Sequence, residues 1–282
     1  MENNVVNFEE EYFKLKNKEA YEKLMNREFE ATREMLQEPI EKIEEKMKSG
    51  KKYCPQNVFD AAIFMNFLEP KATQQDFAKS NYYDFYLMRG AASYNLNDFE
   101  DSKKHYKKAI ELNPASAVAR LQMFEINKLE KQFDTYVEDI KDFFKYAYRR
   151  VDMARAYRDM GYYLCEIKDY EMAIVAYYLS NIYEVTDLAI AEVKHIAEIA
   201  KIDLDSKLWL SEEMMGEFYE KYKIPLLPNQ DLVKLACAIA DDSYSKKALK
   251  TALFTYSVAY ELTLEEKYLD KVKELIKFDK TN

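Results

Sequence analysis

Half of the chain's eight arginines, Arg149, Arg150, Arg155 and Arg158, crowd into ten residues, and none follows them. A guanidinium presents a planar fork of donors that fits a carboxylate or phosphate, so such a cluster can capture an acidic group. It can equally serve in ion pairs with the chain's own carboxylates, since Asp and Glu outnumber Lys and Arg by 51 to 42. Both readings stand on sequence alone. His105 and His195 have no Cys or His neighbour at metal-ligand spacing. Both are expected in surface or boundary roles, His105 on the outer side of its helix. No Gly-rich phosphate loop, nucleophile elbow or His-Glu-x-x-His run occurs, and four glycines leave little from which to build a phosphate cradle. The expectation is no catalysis, no cofactor and no metal.

Other groups point the same way. Glu44-Glu45 and Asp241-Asp242 read as solvated faces or turns. Cys54, Cys165 and Cys237 lie far apart among apolar neighbours, which predicts reduced, buried thiols and a cytoplasmic protein. The first ten residues lack the basic start and apolar run of a leader, and no later segment reaches membrane-span length. A net charge of −9 argues against nucleic acid or anionic lipid as partners, because both require a surplus of Lys and Arg.

The elements that position these groups are helices. Only 4 Gly and 6 Pro in 282 residues, with 48% hydrophobic and 33% charged side chains, is a helix-rich profile with few tight turns. Two segments answer one another. The first runs Tyr86-Leu87-Met88-Arg89-Gly90, Tyr94, Asn97-Asp98-Phe99, Ser102, Tyr106, Ala109-Ile110 and Pro114. The second runs Tyr157-Arg158-Asp159-Met160-Gly161, Leu164, Lys168-Asp169-Tyr170, Ala173, Tyr177 and Ser180. Small residues at Gly90, Ser102, Ala109, Gly161, Ala173 and Ser180 allow two helices to approach, while the aromatics fill the space between hairpins. Gly costs roughly 1 kcal/mol against Ala inside a helix, so its placement at both matching positions requires a packing reason. Asp98 and Asp169 are expected to cap the helices that follow them.

This pattern resembles the tetratricopeptide repeat, with a layout similar to that of bacterial proteins of the family. The resemblance implies an all-α superhelix of antiparallel hairpins, with repeats at 83–116, 117–150 and 154–187. Gly90 and Gly161 are 71 residues apart, so three residues are inserted beyond two repeats of 34. They are expected near Lys145 to Val151, extending the second helix of the middle repeat. Residues 1–80 form an N-terminal helical region, with stripes at Phe8, Tyr12 and Leu15, then Tyr21, Leu24 and Met25. A third stripe of Met35, Leu36, Ile40, Ile43 and Met47 is broken near Pro39 and ended by Ser49-Gly50-Lys51-Lys52. Residues 188–282 form irregular hairpins. A fourth runs through Ala189, Val193 and Ile196 and then Met214, Phe218 and Tyr222, and a fifth follows Pro225-Leu226-Leu227-Pro228. A capping helix starts at Thr263 with Glu266 as its capping-box partner.

By the same resemblance the first helix of each hairpin lines a concave groove that mediates protein–protein or protein–peptide interaction. The groove positions are Asp84, Leu87, Ala91, Tyr94 and Asn95 in one repeat, and Val118, Leu121, Glu125, Lys128 and Leu129 in the next. In the third they are Arg155, Arg158, Tyr162, Cys165 and Glu166. Arg155 and Arg158 would be polar anchors for an acidic or carboxylate-terminated peptide, with Tyr94 and Tyr162 as stacking surfaces. Repeats that clamp chaperone C-termini carry Lys and Asn where this chain has Leu87 and Ala91, so that function is not implied. The alternative is a peptide-sensing regulator whose N-terminal helices act on an effector. With 13 acidic and 9 basic side chains, residues 1–48 are not a DNA-binding arm. Oligomeric state is left open.

Overall fold

A computed structural model describes residues 8–48, 50 and 52–279. Most of the segment read for a leader, and Ser49 and Lys51 of the helix-ending run, lie outside the described residues. The fold is an all-α helical repeat. It divides into two compact units, Met1–Ile126 and Asn127–Asn282.

Unit 1 holds α1 (Phe8–Met25), α2 (Phe29–Met47), α3 (Val58–Ile63), α4 (Tyr82–Asn95) and α5 (Phe99–Leu112). The α1–α2 hairpin shares one core with α4 and α5. Phe13 sits edge-on to Tyr82 and Phe85 at 5.2 and 5.7 Å, and Leu36 and Ile43 bury beside Tyr86 and Tyr106. The break expected at Pro39 does not occur, and α2 runs through it. Interior Pro costs roughly 3 kcal/mol. Burial of Leu36, Ile40 and Ile43 offsets it, at about 1.5–3 kcal/mol for each fully buried aliphatic side chain. After α3 the helix widens into one π turn, Phe64–Leu68. Residues between α2 and α4 are tied down by Tyr53, which pairs with Asp76 and Ala78, and by the Cys54 amide donating to Leu112 O at 2.8 Å.

The helix α6 (Ala117–Leu129) carries the unit boundary. Unit 2 continues with α7 (Tyr136–Phe144), α8 (Arg150–Glu166), α9 (Tyr170–Tyr183), α10 (Asp187–Ala200), α11 (Glu212–Tyr222), α12 (Gln230–Ser245), α13 (Leu249–Thr263) and α14 (Glu266–Asp279). Almost every side of α9 is buried, because α8, α10 and α11 all pack on it.

One local rule orders these pairs. Arg27, Asn97, Lys131, Lys168, Lys201 and Lys247 each adopt a left-handed conformation, with φ between 53 and 64°. At each, the next residue's amide reaches back five residues, as Asp98 N does to Ser93 O and Asp169 N to Leu164 O, both at 2.9 Å. This turn satisfies the carbonyls left over at a helix C-terminus. Seven residues before these turns stand Ala20, Gly90, Phe124, Gly161, Lys194 and Ala240. Where that residue is Gly or Ala, the helices on either side of the turn pack closely: α1–α2, α4–α5, α8–α9 and α12–α13. Lys194 is larger, and α10–α11 do not close in the same way. A Cβ on Gly90 would stand 2.6 Å from Cε1 of Tyr106, and one on Gly161 2.7 Å from Cε2 of Tyr177.

Several expectations are corrected. The inserted residues do not extend α7, which stops at Phe144; they lengthen the start of α8, where Glu261 of α13 accepts the Arg150 amide at 2.9 Å. The fourth hairpin is not a hairpin, since α10 and α11 each pack on α9. Asp98 caps α5 through the Asp101 amide, but Asp169 makes no cap bond; its carboxylate accepts from Tyr222 and Lys221 of α11 instead. Thr263 is the last residue of α13, and the final helix begins at Glu266. His105 is buried, 5% exposed, and stacks on Tyr86 with ring centres 6.1 Å apart.

Candidate interaction surface

The stripe residues of α4 and α8 are positioned by what their neighbours must bury. In α4, Tyr82, Tyr83, Phe85, Tyr86, Met88 and Gly90 go into the core, which leaves Asp84, Leu87, Ala91 and Tyr94 half-buried on the remaining face. In α8, Met153, Ala154, Ala156, Tyr157, Met160, Gly161 and Leu164 are buried, while Arg155, Arg158, Tyr162 and Cys165 stay half-exposed. The spacing is the helical one, so each set forms a single stripe. The equivalent stripe on α6 is interrupted: Leu121 is 2% exposed and belongs to the core, which removes it from any surface.

In unit 1, Asp84 Oδ2 accepts from Asn17 at 3.3 Å and Asn81 at 2.8 Å, and burial pushes its carboxyl above the usual range. Leu87 and Tyr94 pack against the unit's core, with the Tyr94 ring 5.9 Å from Phe99. Glu125 is half-buried near the end of this unit.

In unit 2, Lys128 donates to Asp159 Oδ1 at 2.5 Å and lies 5.6 Å from the centre of the Tyr162 ring, which is itself 6.4 Å from Phe133. Burial, then the Glu166 carboxylate, raises the Tyr162 phenol above its ordinary value. Lys128, Phe133 and Tyr162 are therefore brought together. The arginines are not left as a bare basic cluster. Arg158 pairs with Glu184 at 3.2 Å, Arg149 lies 3.8 Å from Asp152, and Arg150 stacks over Tyr183 at 4.8 Å and donates to the Ile182 carbonyl. Arg155 is half-buried beside Asp152, whose carboxyl is raised by burial despite the two neighbouring guanidinium groups. Burial also raises the thiols of Cys54 and Cys165, to about 11 and about 12, so neither is a thiolate near neutral pH.

Two pockets escaped the sequence reading. In unit 1 an open pocket of about 560 Å³ is floored by Met47, Tyr53, Phe64, Tyr86 and Leu112 and rimmed by Lys48, Lys52 and Lys108. In unit 2 a pocket of about 370 Å³ lies among Arg150, Tyr183, Glu184, Tyr260 and Glu261. Each draws residues from stretches far apart in the chain, so no local pattern announces either.

Residues 83–116, which are α4, its turn and α5, match the family model for the tetratricopeptide repeat. The chain carries a tetratricopeptide repeat. No curated protein and no solved structure matches the chain. In the repeat, the Gly90–Tyr106 contact, the Asn97 turn and the Asp98 cap are the features that close the hairpin and turn the Asp84, Leu87 and Tyr94 stripe outward. A repeat of this kind belongs to a family of protein-interaction scaffolds. No described helix is long and apolar enough to cross a membrane.

Proposed function

We propose that the protein is a scaffold in which the half-exposed stripe of a first helix, α4 in unit 1 or α8 in unit 2, holds a segment of a partner protein and performs no chemistry on it. The observation that carries this reading is the division within α4 and α8: one stripe of polar and aromatic side chains stays accessible while the other faces are committed to the core. Tyr94 and Tyr162 supply stacking surfaces, and Arg155 and Arg158 supply anchors for an acidic or carboxylate-terminated segment. Glu184 already occupies Arg158, so an incoming carboxylate shares or displaces it. Three free cysteines fit a reducing, cytoplasmic setting. The packing of α1 and α2 into the core of unit 1 favours a scaffold over a free N-terminal effector arm.

The test starts from a partner co-purified with the full chain from its host. Arg155→Glu with Arg158→Glu should weaken that complex by roughly tenfold or more with unchanged thermal unfolding, whereas Glu184→Gln should tighten it. Unchanged affinity in both variants rejects the arginine anchors.

A further inference from the structure

Tyr86 is 1% exposed, yet among the described residues its hydroxyl makes no hydrogen bond. One face of its ring stacks on His105 at 6.1 Å, and the side chain borders the open pocket of about 560 Å³ in unit 1. Burial, then the Glu44 and Glu111 carboxylates that also line this pocket, push the phenol above its ordinary value, so the group stays an O–H donor. A buried donor without an acceptor is costly, and the pocket is the place left for one.

The α8–α9 pair, closed by the same Gly-to-Tyr contact, shows what fills that place in unit 2. Counted 71 residues on, Tyr86 corresponds to Tyr157 and Leu112 to Tyr183, just as Gly90 corresponds to Gly161. The Tyr157 hydroxyl donates to the Pro225 carbonyl, and the Tyr183 hydroxyl donates to the Leu226 carbonyl at 3.2 Å. Both carbonyls belong to the non-helical stretch Ile224-Pro225-Leu226-Leu227-Pro228 between α11 and α12. Within unit 1, Tyr86 and Leu112 together floor the pocket, and no described residue gives the Tyr86 hydroxyl a carbonyl.

We infer that this pocket docks an extended, uncharged, apolar segment of a partner protein, proline-containing like residues 224–228, whose backbone carbonyl accepts the Tyr86 hydroxyl. Tyr53 and Phe64, with ring centres 4.0 Å apart, give it an aromatic wall. Aromatic-lined grooves suit such segments, because proline is already extended and leaves no N–H unpaired in an apolar site. The rim selects against charge. Lys48, Lys52 and Lys108 stand against Glu44, Glu69 and Glu111, with Lys108 held by Glu111 at 2.8 Å and Lys52 by the Gln75 carbonyl at 2.7 Å. An acidic segment would meet the carboxylates that already act on the hydroxyl, and a basic one would meet the lysines. The site uses none of the stripe residues of α4 or α8, so it goes beyond the scaffold surface proposed above.

The test is calorimetric titration of the full chain with an acetylated, amidated peptide of sequence Ile-Pro-Leu-Leu-Pro, which copies residues 224–228. Saturable binding of one peptide per chain is expected. Tyr86→Phe removes only the hydroxyl and should raise the dissociation constant about three- to tenfold. Because that hydroxyl is unpaired in the free chain, thermal unfolding without peptide should not fall. Leu68→Trp, which fills the pocket from a half-buried position on its wall, should abolish binding. A peptide with Glu in place of its first Leu should not bind. The capped peptide has neither an acidic group nor a free carboxylate, so failure of the arginine anchors has no bearing on the result. Absence of saturable binding up to millimolar peptide overturns the inference. So does equal affinity in Tyr86→Phe or in Leu68→Trp, and a Tyr86→Phe chain that unfolds earlier without peptide shows the hydroxyl to be structural instead.

Discussion

Replacing Gly90 by alanine sets two opposite effects against each other. In a helix interior the change gains about 1 kcal/mol of intrinsic helix stability. The added Cβ, however, would stand 2.6 Å from Cε1 and 2.7 Å from Cδ1 of Tyr106, whose ring is 1% exposed and has no room to retreat. Overpacking of that kind costs about 1–3 kcal/mol, and with a contact this short the upper half of the range applies. The net expectation is a loss of roughly 1–2 kcal/mol. Gly216, inside α11, is the control: no heavy atom lies within 4 Å of its Cβ position and its φ is not positive, so Gly216→Ala should gain roughly 0.5–1 kcal/mol. Urea unfolding followed by far-ultraviolet circular dichroism should move the midpoint in opposite directions for the two variants. Tyr106→Leu placed behind Gly90→Ala should show a coupling of opposite sign to the single costs, because the clash is gone. If both alanine variants stabilise the protein alike, close approach at Gly90 is not what holds the hairpin, and the size rule relating these turn positions to hairpin closure within each unit fails with it.

Lys128→Met should cost about 2–4 kcal/mol, since it leaves the 1%-exposed Asp159 carboxylate without the ammonium 2.5 Å away; Asp159→Asn should cost less, and paired denaturation curves decide the order. His105 supplies a pH test. Burial holds its imidazole below 6.5, against the opposing pull of Asp101, so the folded state disfavours the charged ring. The unfolded chain then binds the extra proton, and this contribution to stability is complete above pH 6.5 and is lost as pH falls from there toward the folded value. His105→Gln should flatten that part of the stability profile, and an unchanged slope would show that the ring does not titrate against folding.

Much of the repeat was legible in the sequence because its determinants are local. Gly90 with Tyr106, and Gly161 with Tyr177, sit at fixed intervals because a helical turn fixes which side chains face one another. The left-handed turns at Asn97 and Lys168 follow from where each helix must stop. The α1–α2 hairpin has the same turn at Arg27 with Ala20 seven residues before it, but Lys16, Leu36 and Pro39 stand where the repeat has Tyr86, Tyr106 and Ala109, so no repeat pattern shows there in the sequence.

What the tertiary structure alone decided are the partners each residue finds far along the chain. Pro39 stays inside α2 because α4 supplies the burial that offsets it, and His105 turns inward because Tyr86 offers it a ring. Asp169, a capping residue by pattern, is claimed by Tyr222 and Lys221. Arg158, for which the sequence left a ligand anchor and an ion pair both open, meets Glu184 twenty-six residues away. Leu121 is the sharpest case, groove-facing by register and buried in fact. Periodicity states which residues share a face of a helix, whereas the element that covers that face comes from distant chain and depends on how closely two helices can pack.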